Sequence, residues 1–259
     1  MRAKIDLWLA SAQHLAWALQ QQHLLDAAEA SRWHALSGKS PAQGRAYVLS
    51  RVLRRTALTT LTGVPPQNWS FPPNALGQPI PQWRSPTGIL SVPQNLGVSL
   101  AHCQDLVVVA VGEGCAVGVD IEHAGRFDGC AQRVAHLAGR LLTPLEQQCL
   151  AKMPEAGRPL AFLQRWALKE AAVKALGQGL RGPWRQLAPS LQPGSLPPDA
   201  CRWSDGPLRL PDGFVPLVDA PLWCALWGPP PDVDAVIALC ASGTEPPHVH
   251  YKGLHTTAS

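Results

Sequence analysis

Apolar and polar positions alternate along the chain with two different periods, and the switches between them mark out its elements. From Ile5 to Leu61 the apolar residues recur at helical spacing. A break at Ser37-Gly38-Lys39-Ser40-Pro41 reads as a turn and N-cap before a second helix, which carries Arg45, Arg51, Arg54 and Arg55. Prolines crowd Val64 to Pro93, which predicts a loop-rich connector with at most short edge strands. Two short apolar runs follow, Leu106 to Val111 and Ala116 to Ile121, joined by Gly112-Glu113-Gly114 in the manner of a β-hairpin. Helical spacing returns between Arg133 and Ala175, with a break at Met153 to Pro159. Beyond Gly182 proline is again frequent, and Leu222 to Leu226 and Val233 to Cys240 read as strands. The tail from Gly243 is polar and is expected to fray. No period repeats. Helices, then a hairpin, then helices, then strands make an α+β order rather than a regular βαβ alternation.

Composition narrows the class. A chain of 259 residues that is 46% hydrophobic can bury one large core or two small ones. The formal charge of +4 is spread rather than run together, which argues against nucleic acid and suits anionic phosphates or an acidic partner. Seven cysteines without a CxxC pair predict reduced thiols rather than a disulfide framework or zinc knuckle. No apolar run reaches membrane-spanning length and no signal-peptide core forms, so the expectation is a cytoplasmic protein that does not meet a membrane.

Two segments carry candidate chemistry. In Gly118-Val119-Asp120-Ile121-Glu122, strand alternation puts Val119 and Ile121 on one face and Asp120 and Glu122 on the other. Two carboxylates so placed can share a hard divalent cation, for which oxygen ligands favour magnesium, although a wet strand face would look the same. In the segment Phe162 to Gly177, the residues Phe162, Trp166, Val173 and Leu176 form an apolar stripe that encloses Lys169. A lysine there is costly without a partner or a route to solvent. Glu170 and Lys174 lie one turn apart at the border of the stripe and read as the lip of a polar site. His102 sits at a strand entrance, where a lone histidine is more often structural.

Taken together, GVDIE at Gly118 to Glu122 and WALKEAAVKALGQGL at Trp166 to Leu180 resemble the paired signature of the 4′-phosphopantetheinyl transferases, (V/I)G(V/I)D-x-E and (F/W)-x-x-KE-x-x-x-K-x-x-G-x-G-L. Chain length points to the two-lobed, monomeric branch typified by the surfactin synthetase activator. That resemblance implies two similar α/β lobes in pseudo-twofold arrangement, with coenzyme A in the cleft between them. We expect an N-terminal lobe over 1–112, a C-terminal lobe with the metal and catalytic motifs over 113–243, and a disordered tail over 244–259.

The resemblance also implies roles. Asp120, Glu122 and Glu170 match the magnesium-binding acids, and Lys174 the lysine that contacts the pyrophosphate. Lys169 matches the lysine of the KE pair and His102 a coenzyme A phosphate contact. Glu146, in Leu142-Thr143-Pro144-Leu145-Glu146, matches the acid of an FT-x-x-E block, and Arg45 a basic residue near the nucleotide. The general base is Glu170 or Glu146. The implied partners are coenzyme A, as substrate, and an acyl or peptidyl carrier protein, steered toward the hairpin and the Gly177 to Arg185 loop. Two positions depart from the pattern: Gln78 stands where Gly-Lys-Pro has lysine, and Ala101 where a serine precedes the histidine. Those departures leave room for a non-catalytic carrier-binding homologue, and acids with a lysine also suit another magnesium-dependent phosphate enzyme.

Overall fold

The computed structural model describes residues 2–85, 88, 90–91, 95–177, 187, 202–203, 222–227, 234–243 and 247–254. The fold is mixed α and β, in two compact units: Lys4–Cys115 with His248–Ser259, and Ala116–Pro247 with Met1–Ala3.

The first unit holds strand β1 (Lys4–Ala10), helices α1 (Leu15–Gln20), α2 (Ala27–Lys39) and α3 (Pro41–Thr62), and the short strands β2 (Trp69–Ser70), β3 (Gln82–Arg84) and β4 (Leu90–Ser91). Strands β5 (Leu96–Cys103) and β6 (Leu106–Glu113) follow. Helix α3 begins where the sequence predicts. Ser40 caps it through Gln43 N–H, Pro41 fills the first turn, and Gly63 closes it at φ 74°. Its buried face, with Val48, Leu49, Val52 and Leu53, packs in one core with Trp8, Val107, Val109 and Val111.

The second unit holds β7 (Val117–His123), α4 (Ala131–Leu141), α5 (Pro144–Ala151), α6 (Arg158–Ala175), β8 (Arg202–Trp203), β9 (Leu222–Trp227) and β10 (Ala235–Ser242). Its sheet runs β7-β10-β9-β8, and α6 lies across β7, β10 and β9. Phe162, Leu168, Ala171 and Ala172 of the helix share a core with Leu226, Val236 and Ala238 of the sheet.

Four expectations are corrected. The first apolar stretch opens with a strand: β1 lies between β6 and the terminal strand β11 (His248–Gly253). A strand buried along most of its length reads as a nearly continuous apolar run, which periodicity does not separate from a helix. Strands β6 and β7 are not a hairpin, since they belong to different sheets. The hairpin is β5–β6, closed by Gln104 and Asp105 with Gln104 at φ 53°. The tail expected to lack order contains β11, which pairs parallel to β1. Cys224 and Cys240, directly opposite on β9 and β10 with Cα atoms 4.2 Å apart, form a disulfide where reduced thiols were expected. Among the described residues, no helix is long and apolar enough to cross a membrane.

Candidate active site

Strand β7 presents Gly118, Asp120 and Glu122 on the face that α6 covers, and the register against β10 sets Cys240, Ala238 and Val236 opposite them. Gly118 is where helix and strand come closest. A Cβ there would stand 1.9 Å from Ala171 O and 2.4 Å from Ala175 N, so only glycine admits this packing. The approach brings α6 side chains onto the acids. Lys174 Nζ donates to Asp120 Oδ1 at 2.8 Å and to Val119 O at 3.0 Å. About two turns earlier on the helix, Trp166 Nε1 donates to Glu122 Oε1 at 3.0 Å.

Glu122 Oε1 has a second donor, the guanidinium of Arg126. Arg126 lies in the single 3-10 turn Ala124–Phe127 that follows β7. The turn is anchored by Phe127, buried and edge-on to Phe162 with ring centroids 5.3 Å apart.

The electrostatics follow from carboxylates on a largely apolar face. Burial raises the proton affinity of Asp120 above the ordinary carboxylate value, and Lys174 offsets part of that rise. Glu170 is raised as well, first by burial and then by the charge of Asp120, with Glu122 adding to it. Mutual influence of this kind puts Asp120, Glu122 and Glu170 in one electrostatic cluster. Lys174 and Arg126 balance two of its three charges.

Those acids fit a hard divalent cation. Among the described residues, Asp120 Oδ2 is buried without a hydrogen-bond partner and the cluster holds an unbalanced negative charge. Among the described residues, no three His, Cys, Asp or Glu side chains are already gathered closely enough to hold a metal as they stand. Ligation by all three acids therefore requires side-chain movement.

Glu146 and Lys169 meet each other elsewhere in this unit. Thr143 and Glu146 form a capping box at the start of α5, with Thr143 N–H donating to Glu146 Oε2 at 2.7 Å. The same oxygen lies 2.9 Å from Lys169 Nζ. Lys169 is 0% exposed and also donates to Leu187 O at 2.6 Å. The lysine that stood out within an apolar stripe thus neither snorkels nor reaches solvent. It is a buried tie between α6, the α5 cap and residue 187.

Arg45 and His102 belong to the other unit, exposed on α3 and β5 respectively. Gln178, Gly179, Leu180, Arg181 and Arg185 lie outside the described residues. Sequence reasoning assigns no role to Arg126, and it places Gly118 and Trp166 in the motif without their contacts at the site. Trp166 reads there as part of the apolar stripe, and Arg126 falls in an irregular turn with no periodicity to mark it.

Comparison with known proteins decides the family. Residues 116–199, which span β7 and α4 to α6, match the 4′-phosphopantetheinyl transferase superfamily. Over 112 residues the chain is 30% identical to a holo-[acyl-carrier-protein] synthase of Jannaschia, covering 41% of this chain and 73% of that one. The chain belongs to the 4′-phosphopantetheinyl transferase superfamily. It is therefore a transferase, and what this superfamily transfers is phosphopantetheine.

The 4′-phosphopantetheinyl transferase HetI of Nostoc is 27% identical over 179 residues, 69% of this chain and 68% of HetI. A holo-[acyl-carrier-protein] synthase of Neisseria meningitidis is 52% identical over 68 residues. That match spans 26% of this chain and about half of the synthase, 52%.

Proposed function

We propose that this phosphopantetheinyl transferase moves the 4′-phosphopantetheine of coenzyme A to a serine of an acyl or peptidyl carrier protein, releasing adenosine 3′,5′-bisphosphate. The observation that carries the reading is the cluster built where α6 meets β7. Lys174 sits 2.8 Å from Asp120, a buried Asp120 oxygen has no partner among the described residues, and Glu170 is held basic first by burial and then by the charge of Asp120.

Asp120, Glu122 and Glu170 would hold magnesium, which when bound supplies charge neutralisation at the diphosphate of coenzyme A. The remaining chemistry falls to side chains. The serine oxygen forms a bond to the phosphorus next to the pantetheine, and the bond from that phosphorus to the oxygen of the bisphosphate leaving group breaks. Glu170, which borders Asp120 and Glu122 on the α6 side of the cluster, takes the serine proton. Lys174 meets the charge that grows on the departing bisphosphate.

Glu146 is a poorer base here, since the oxygen that faces Thr143 N–H also pairs with Lys169. We assign Glu146 and Lys169 to positioning: they fix the start of α5 against the helix that carries Glu170 and Lys174. As part of the proposal, His102 keeps the coenzyme A phosphate contact, and Arg45 the role of a basic residue near the nucleotide, that the resemblance implies.

Chromatographic quantitation of adenosine 3′,5′-bisphosphate tests this. It should accumulate in step with loss of apo carrier protein, and only when coenzyme A, a divalent cation and the carrier are all present. Release that is independent of the carrier would mean hydrolysis of coenzyme A, and the assignment would fall.

A further inference from the structure

Glu122 is not an open ligand. Its Oε1 accepts from both Arg126 and Trp166, and its side chain is only 10% exposed. The indole is neutral and can remain in place when a cation arrives. The guanidinium is charged, and a dication on the same carboxylate must either displace it or share the group against like-charge repulsion.

Lys174 stands differently toward Asp120. It keeps a second acceptor in Val119 O and leaves Asp120 Oδ2 free. Among the described residues Arg126 has no second acceptor in the site, and its side chain, 41% exposed, can swing toward solvent beside the Phe127 ring.

We infer that Arg126 is the resident counter-ion of this site, holding Glu122 until a divalent cation takes its place and so setting how tightly the protein binds that cation. The inference rests on the reading of Asp120, Glu122 and Glu170 as metal-holding acids. Electrostatic competition of this sort weakens cation binding in the free protein. Removing the arginine tightens cation binding, and replacing it with lysine preserves the competition.

The test measures Mn²⁺ binding to the full chain without coenzyme A, reading free Mn²⁺ by electron paramagnetic resonance. Arg126→Gln should bind about three- to fivefold more tightly than the unaltered protein, the upper part of the range for a partly exposed ion pair. Arg126→Lys should stay within about twofold of it. Asp120→Asn is the control for the underlying reading and should bind far more weakly. Unchanged or weaker binding by Arg126→Gln, with Asp120→Asn still impaired, overturns the role of Arg126 and leaves the metal site standing. Unimpaired binding by Asp120→Asn overturns the metal site itself. Arg126→Met, which keeps the stem beside Phe127, carries the same test if the glutamine variant does not fold.

Discussion

Gly118→Ala is the substitution that most directly couples packing to chemistry in this protein. The added methyl would lie 1.9 Å from Ala171 O and 2.4 Å from Ala175 N, against the 3.4 Å at which ordinary contact begins. Relief requires β7 and α6 to separate by roughly 1.5 Å, because the obstacles are backbone atoms and not a side chain that can rotate away. Lys174 Nζ to Asp120 Oδ1, now 2.8 Å, would pass the limit of a hydrogen bond, and Trp166 to Glu122, now 3.0 Å, would follow. Overpacking of a well-filled core costs about 1–3 kcal/mol. A shift of about 1 Å between catalytic groups costs on the order of 100-fold in rate. The variant should therefore melt at lower temperature yet remain folded, and should lose activity by a larger factor than stability alone explains. Chemical denaturation gives the first quantity, and the initial rate of carrier modification the second. Ala171→Gly in the same background should give no rescue, since the clash is with the helix backbone. A Gly118→Ala protein with unaltered melting and a rate within twofold of the parent would refute the reasoning.

Glu170 and Asp120 bind protons more tightly in the folded chain than when unfolded, so the stability tied to them is present at low pH and lost as pH rises through their folded values. In chelator, Glu170→Gln should thus raise the unfolding midpoint at neutral pH, with no gain below the ordinary glutamate value of 4.5. The same substitution should abolish the acid limb of the pH–rate profile along with most activity; a limb that survives would put the base elsewhere. Lys169→Met should cost about 3–5 kcal/mol, because it strands the Glu146 charge in the core. Adding Glu146→Gln should recover at least half of that in denaturant titrations, and additive losses would show that the two residues are not coupled.

The chemistry was more legible in the sequence than the sheets. Alternation in GVDIE placed Asp120 and Glu122 on one face because strand parity is a local property. Helical projection singled out Lys169 for the same reason. Sheet membership is not local. Nothing in Gly112-Glu113-Gly114 distinguishes a hairpin turn from the passage between two sheets, while the actual β5–β6 turn uses Gln104 and lacks the usual glycine or asparagine. Strand β11 escaped notice because its exposed edge position leaves little apolar alternation to read. The partner of Lys169 lies 23 positions away at a helix cap, and the cap itself was visible as Thr143-Pro144-Leu145-Glu146. What linked the two was tertiary packing. Gly118 illustrates the converse: its place in the motif was evident, and its reason emerged only from the backbone of α6.

On the proposed function, the acids and lysine at the β7–α6 contact carry out phosphopantetheine transfer. Intact-mass spectrometry of an apo carrier protein, incubated with coenzyme A and magnesium and either the parent enzyme or Asp120→Asn at equal folded concentration, tests it most directly. The parent should shift the carrier by the mass of one phosphopantetheine, and Asp120→Asn should leave it unshifted over the same time. Equal modification by both proteins would contradict the claim.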